Sequence, residues 1–456
     1  MGNTIQSINP ATEETIAEYA ETSESELEHC LQTAEEAFEA WRKLKFAERA
    51  ERLINLAARL QQRKAELARL ASLEMGKPVS QAEAEVEKCA SVCEFYAHNG
   101  GRILERKNVT TDAKESWVQN DPLGPILAIM PWNLPYWQVF RAAVPAIASG
   151  NVVVLKHANN VCGVASETAK LFSEAGFPEG VFSVVFLSRE RAEHLVASPA
   201  IRGVTLTGSE RAGRAVAAKA GEHIKPTVLE LGGSDPFIVL ADADLSKVVP
   251  KAVQARTQNT GQSCIAAKRF LVDQAVIGDF QEQFVKQMMQ IKVGNPLNKN
   301  TDAGPLARSD LRDQLHRQVL ETIQAGGRLA CGGRNLPGKG WFYEPTVLTD
   351  VAPGMPAFDD ETFGPVAAVV PFRDISEAIQ LANRSSFGLG ASLWTTQPDN
   401  AIELSSEISA GAVFLNEIVK SDPRIPFGGI KNSGYGRELG EDGMLAFVNR
   451  KTVWVG

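Results

Sequence analysis

An α/β fold with two parallel-sheet domains is what this chain predicts, and three observations carry that expectation. From Pro125 onward, short apolar runs alternate with helical stretches, the pattern of parallel strands covered on both faces. A second series of the same kind follows Pro236. At 456 residues the chain is also long for a single hydrophobic core, so two or three domains are expected.

Taken in order, residues 23–41 read as an amphipathic helix. Ser23 and Glu26 form a capping box, and Leu27, Leu31, Ala34, Phe38 and Trp41 recur at helical spacing. A second helix is expected over about 47–73, stopping at Gly76-Lys77-Pro78. A third opens on a box of Ser80 and Glu83 and ends before Gly100-Gly101. These helices are expected to pack on a sheet that comes later. Its strands are expected at 126–130, 151–155, 182–186, 203–207 and 227–230. The second series is expected at 237–240, 269–272, 366–371, 391–395 and 412–415. Residues 230–234 fall near the junction of the two domains, where active sites are favoured. The segment 102–120 breaks this order, and Lys451-Thr452-Val453-Trp454-Val455 reads as a short strand. An edge strand of that kind invites a second chain, although a hairpin within one chain is also open.

Composition narrows the function. With 44% hydrophobic and 22% charged residues the chain is an ordinary globular protein, and a net charge of −8 with no basic block argues against a nucleic-acid surface. Six irregularly spaced cysteines (Cys30, Cys89, Cys93, Cys162, Cys264 and Cys331) suit a reducing compartment. Cys89 and Cys93 sit four apart on a helical pattern and are read as core packing, so no metal is expected. The N-terminus has no basic and apolar leader, and Gln6 fails the myristoylation pattern. The apolar stretch 139–155 is broken by Arg141, Pro145, Gly150 and Asn151, so it cannot span a bilayer. A cytoplasmic protein is expected.

Three short stretches carry the chemistry. Gly261-Gln262-Ser263-Cys264 offers a thiol among small and polar neighbours. Glu230-Leu231-Gly232-Gly233 puts a carboxylate at a strand end beside a glycine pair, poorly placed for a core and well placed for a cleft. Pro131-Trp132-Asn133-Leu134-Pro135 offers an amide. A nucleophile, a base for water and an oxyanion donor complete an acyl-enzyme cycle. No Gly-x-Gly-x-x-Gly fingerprint is present. Thr207-Gly208-Ser209-Glu210-Arg211-Ala212-Gly213 joins a strand to a helix and can take a phosphate on its N–H groups, although an ordinary N-cap explains Ser209 nearly as well. If a helix begins at Leu134-Pro135, Asn133, Trp137 and Arg141 share one face. Arg141 then lies two turns, roughly 12 Å, from Asn133. That span suits an aldehyde with a carboxylate at its far end, and an arginine paired to an acid across the interface is the competing reading.

On these motifs, together with Glu361-Thr362-Phe363-Gly364-Pro365 and Pro426-Phe427-Gly428-Gly429, the chain resembles the NAD(P)-dependent aldehyde dehydrogenases over nearly its whole length. The resemblance implies two Rossmann-like domains plus a small β oligomerisation arm. The cofactor-binding domain is expected at 1–101 and 122–232, the catalytic domain at 233–433 and the arm at 102–121 and 440–456, with a homodimer or homotetramer as the assembly. It implies that the Cys264 thiolate adds to the aldehyde, that Asn133 and the Cys264 backbone N–H hold the oxyanion, that hydride passes to the nicotinamide, and that Glu230 activates the water that releases the acid.

For the cofactor, the resemblance places the pyrophosphate at Gly208, Ser209 and Gly213 and the adenosine ribose at Lys156, and counts Trp132 and Leu231 among the cofactor-binding residues. Glu361 matches the ligand of the nicotinamide ribose and Phe363 packs near the ring, while a solvated loop acid is the plainer reading of Glu361. Asn159 stands where NAD-preferring members have a glutamate that repels a 2′-phosphate, so NADP is expected to be preferred and NAD possible. The run from Pro131 to Arg141, Lys156-His157-Ala158-Asn159, and Ser421-Asp422-Pro423-Arg424 are similar to the shorter bacterial succinate-semialdehyde dehydrogenases. This implies Arg141 and Ser421 at the distal carboxylate and Trp137 along the tunnel. Ala266 replaces the second cysteine of a redox-switched branch. Another aldehyde such as glutarate semialdehyde, a cysteine-dependent esterase and a structural protein that kept the fold are the competing functions.

Overall fold

The computed structural model describes residues 4–456. Met1-Gly2-Asn3, on which the expectation about a leader partly rests, lie outside the described residues.

Two sheets form because two sets of strands carry apolar residues on both of their faces. In the second sheet Ile238 and Leu271 point into one buried cluster, while their neighbours Phe237, Val239, Phe270 and Val272 point into another on the opposite face. Alternation along a strand sends successive side chains to opposite sides, so helices must cover both. This seven-stranded sheet has the order Arg328–Cys331, Thr346–Thr349, Val366–Phe372, Arg269–Asp273, Pro236–Val239, Gly390–Trp394, Ala412–Leu415. It is parallel except for the Arg328–Cys331 edge.

The first sheet is six-stranded, in the order Gly434–Tyr435, Thr227–Glu230, Gly203–Thr207, Pro125–Met130, Val152–His157, Phe182–Val184. Its five expected strands are parallel, and the sixth, Gly434–Tyr435, returns antiparallel beside Glu230. Chain order reverses between Pro125–Met130 and Gly203–Thr207, and in open α/β sheets the crevice at the strand ends of such a point receives ligands. Asn133, Gly208 and Glu230 all follow or end strands on that side.

The helices depart from expectation in four places. Glu24–Trp41 has its Ser23–Glu26 capping box and buries Leu27, Ala34, Phe38 and Trp41. The second expected helix is two, Phe46–Gln62 and Lys64–Met75, broken at Arg63, whose guanidinium gathers Glu66, Glu167 and Glu174. The third, Val79–Leu104, starts from Pro78 without the Ser80–Glu83 box, and the Val79 N–H donates to the Pro296 carbonyl instead. It also runs straight through Gly100-Gly101. Gly100 is there for contact: a Cβ would sit 2.7 Å from both Phe46 and Met444. The next helix, Trp137–Ala148, begins later than Leu134-Pro135. Its opening N–H groups, Tyr136 and Trp137, each donate to Glu85 Oε1 at 2.9 Å. A buried carboxylate thus caps the helix start, favourable at the positive end of the dipole. Asn133 therefore lies in the preceding loop, off the helical face that Trp137 and Arg141 share.

A three-stranded sheet stands apart, with Glu115–Pro122 paired to Lys107–Asn108 on one side and Val448–Val455 on the other. The 451–455 strand thus pairs within the chain on one edge, with a segment far away in sequence rather than as a hairpin. Within the expected arm segment 440–456, Gly440–Leu445 is a helix packed on Val79–Leu104 and Trp137–Ala148, and Val448–Val455 is the strand. Among the described residues no helix is long and apolar enough to cross a membrane.

Candidate active site

The segment carrying Cys264 is backbone held against its preference. After the helix Leu245–Thr257, Asn259 (φ 52°), Thr260 (φ 58°) and Gly261 (φ 73°) all take left-handed conformations. For the two non-glycine residues such geometry is costly and persists where surrounding contacts over-determine it. Here they do. Arg256 donates to the Gly261 carbonyl (2.7 Å) and the Ala267 carbonyl (2.9 Å), and Lys268 Nζ donates to the carbonyls of Ser263 (2.9 Å) and Cys264 (2.7 Å). Gly261 is sterically required as well, since a Cβ would lie 2.3 Å from the Gly364 carbonyl oxygen. Asn133 joins the same lattice: its Nδ2 donates to the Gln262 carbonyl at 3.1 Å, while Asn259 Nδ2 donates to the Asn133 carbonyl at 2.7 Å.

Cys264 and Asn133 line one cleft of about 500 Å³ together with Trp132, Gly208, Ser209 and Glu361. Leu231 and Phe363 line it too, with Phe363 edge-on to Trp132 at 5.7 Å between centroids. Ser209 is the N-cap of the helix Glu210–Glu222, its hydroxyl accepting from the Ala212 N–H at 3.3 Å. The plainer reading of Ser209 thus holds, and its hydroxyl hydrogen stays available to a ligand. Gly213 is forced by packing, because a Cβ would meet Leu231 at 2.6 Å. Glu361 is not a solvated loop acid. Its Oε1 accepts from the Gly233 N–H at 3.0 Å and lies 3.5 Å from Lys268 Nζ.

Lys156 and Asn159 lie elsewhere, in a second cavity of about 430 Å³, where Lys156 Nζ donates to Asn159 Oδ1 at 3.1 Å. Arg189 and Arg308 also line it, and no carboxylate does. His157, buried between the Met130 and Pro135 carbonyls, braces the loop that bears Asn133. Burial pushes its pKa down to about 4, so it is neutral.

Glu230 is 1% exposed and ends its strand behind the cleft. Burial raises its proton affinity, Arg141 opposes that, and Glu438 adds to it. Arg141 ion-pairs with Glu438, lies 3.9 Å from Glu230 Oε2 and stacks 4.6 Å from the Phe427 ring centre. Arg141 is therefore flanked by two acids, Glu230 at the end of a strand of the first sheet and Glu438 in the C-terminal segment. The Cys264 thiol is pushed up to about 12 by burial, with Arg141 and Lys268 pulling the other way. The expected thiolate is thus a thiol in this state.

Trp137 and Ser421 meet: the indole N–H donates to Ser421 Oγ at 3.1 Å. Lys88 Nζ donates to the same oxygen at 2.7 Å. Sequence reasoning missed Lys88, Arg256, Lys268 and Glu438. It also missed Gln138, a cleft-lining amide 1% exposed with neither polar atom hydrogen-bonded. Among the described residues no cluster of three or more His, Cys, Asp or Glu side chains could hold a metal.

Comparison with known proteins matches the geometry. A family model described as aldehyde dehydrogenase family covers residues 1–453. A probable succinate-semialdehyde dehydrogenase [NADP(+)] of Synechocystis sp. is 52% identical over 99% of both chains. The succinate semialdehyde dehydrogenase [NAD(P)+] Sad of Escherichia coli is 45% identical over 98% of this chain and 97% of its own. Among solved structures, succinic semialdehyde dehydrogenase from Streptococcus pyogenes in complex with NADP+ superposes with a TM-score of 0.97 at 33% identity, covering 99% of each chain.

Proposed function

The chain belongs to the aldehyde dehydrogenase family, and from that premise we propose that it oxidises succinate semialdehyde to succinate with NADP, and with NAD as a second cofactor. The observation that carries the reading is that a thiol, an amide and a helix N-terminus suited to phosphate open on one cleft. In the proposed division, residues 1–101 and 122–232 hold the cofactor and 233–433 supply the nucleophile.

The residues fit a phosphorylated dinucleotide. Gly208 and Ser209 offer the helix start to a pyrophosphate. Glu361 faces the same space, and the cavity at Lys156, Asn159 and Arg189 is cationic where a 2′-phosphate would be received. When bound, the nicotinamide supplies the hydride acceptor. Everything else falls to side chains. Glu230 draws the proton from the Cys264 thiol, directly or through water, and the sulfur adds to the aldehyde carbon. The Asn133 amide and the Cys264 N–H hold the oxygen of the resulting thiohemiacetal. Its oxidation leaves a thioester on Cys264; Glu230, having passed its first proton to solvent, takes a second from the water that cleaves the thioester and returns it to the departing sulfur, releasing the acid and restoring the thiol. Arg141, neutralised by Glu438, sets the field at both reacting groups. Trp137 and Ser421 face the far end of the substrate.

The test is a steady-state comparison of succinate semialdehyde with butanal, each against NADP and NAD. Faster oxidation of the acidic aldehyde with NADP is expected. Asn159→Glu is expected to move the NADP/NAD ratio toward NAD by on the order of ten- to a hundredfold through charge repulsion. Absence of nucleotide-dependent oxidation of either aldehyde would sink the reading.

A further inference from the structure

Lys268 follows the nucleophile closely in the chain, is 0% exposed, and takes no part in the chemistry above. Its backbone is fixed at both ends: the N–H donates to the Asp235 carbonyl at 3.1 Å, and the carbonyl accepts from the Ala368 N–H at 3.0 Å. An ammonium has three hydrogens to place. Two go to the Ser263 and Cys264 carbonyls, at 2.9 and 2.7 Å, and the third faces Glu361 Oε1 at 3.5 Å. The Cys264 carbonyl is confined on another side as well, since a Cβ on Gly233 would lie 2.6 Å from its oxygen. Burial lowers the proton affinity of Lys268, with Arg256 acting the same way, while Glu361, Asp235 and Cys264 oppose it.

What the bond to Ser263 does follows from the peptide group. The Ser263 carbonyl and the Cys264 N–H are the two ends of one planar trans unit, so they point in opposite directions. With the carbonyl turned to Lys268 in the interior, the N–H turns away from it, and among the described residues that N–H has no acceptor. A positive charge at the carbonyl end also draws electron density through the conjugated amide. Its N–H becomes a stronger donor, the more so where water is excluded.

We propose that Lys268 is a positioning residue for the oxyanion: it pins the Ser263–Cys264 peptide from behind, aims the Cys264 N–H at the reacting carbonyl, and strengthens that donor by polarising the peptide. This rests on the oxyanion role given to Asn133 and the Cys264 N–H above, and the experiment separates the two.

The experiment compares two reactions of the same sulfur in the enzyme without nucleotide. With 4-nitrophenyl acetate the sulfur adds to the ester carbonyl, an oxyanion forms, and its collapse expels nitrophenolate, read by absorbance. With iodoacetamide the sulfur displaces iodide from a saturated carbon and no oxyanion forms. The ratio of the two rate constants, each corrected with Cys264→Ala, reports oxyanion stabilisation, because a change in thiol exposure or proton affinity moves both reactions together. Asn133→Ala removes one donor and is expected to lower the ratio by about a hundred- to a thousandfold. Lys268→Met leaves the N–H in place but weaker and less well aimed, and is expected to lower it by on the order of ten- to a hundredfold. Lys268→Gln, a neutral donor able to reach one carbonyl, is expected to fall between Lys268→Met and wild type. A ratio that survives Lys268→Met while Asn133→Ala lowers it overturns the role of Lys268 and leaves a lysine that only holds the loop. If neither variant moves the ratio, the oxyanion site itself is misplaced and the proposal falls with it. Should Lys268→Met fail to fold, Lys268→Gln decides on the same ratio.

Discussion

Burial raises the proton affinity of the Cys264 thiol, so its activation calls for a base, and Glu230 is the one proposed. Burial raises the proton affinity of both groups, more than the nearby Arg141 charge lowers it. The sign follows directly. Below its raised pKa Glu230 holds a proton and cannot accept one, so turnover is expected to climb with pH through the neutral range. Glu230→Gln is expected to lose about two to four orders of magnitude in kcat and to flatten that climb, while still giving a burst of reduced cofactor if acylation outlasts the loss of the base. Initial rates and the burst amplitude between pH 6 and 9 check it, and a variant retaining the wild-type profile would refute the assignment. At this scale the sequence was informative where chemistry is compressed into neighbouring letters. Cys264, Glu230 and Asn133 lie in short, glycine- or proline-flanked runs at strand and helix ends, which explains why they stand out as candidates. Lys88 does not. On an amphipathic helix beside Glu87 a lysine reads as a solvated charge, and only its contact with Ser421, remote in the chain, gives it another meaning.

Elements were legible in proportion to how completely they are buried. The inner strands of both sheets read as unbroken apolar runs because both of their faces are covered, whereas Thr4–Ile8 and Thr15–Ala20, an exposed pair, gave no such signal. Helix ends were less legible, because partners remote in sequence decide them. Glu85 starts Trp137–Ala148, the Pro296 carbonyl receives the Val79 N–H, and Phe46 lets Val79–Leu104 continue past two glycines. Gly100 measures that last effect. Ala would gain helix propensity there, but its Cβ already meets Phe46 and Met444, and a larger side chain has still less room. Gly100→Leu is expected to cost about 1–3 kcal/mol, read as a lower urea midpoint at unchanged m-value. A midpoint at or above wild type would show that the helix can shift to make room.

Across the whole molecule, the three-stranded sheet is the part that stands apart from the two large sheets. Val448–Val455 pairs with Glu115–Pro122 along one edge and leaves the other edge without a strand among the described residues, with Trp454 53% exposed. A homodimer or homotetramer joined through this edge is the proposed assembly. Trp454→Glu is expected to shift sedimentation toward smaller species at low protein concentration, and an unchanged distribution would place the contact elsewhere. The chain's connectivity has a second effect. Gly434 pairs with Glu230, and the reciprocal Phe427–Glu438 backbone bonds seat the acid that neutralises Arg141. During synthesis, Cys264 leaves the ribosome long before these residues exist. A nascent chain thus carries its sulfur with the base still unframed, and reactivity arrives only when translation has passed the point where the sheet can close.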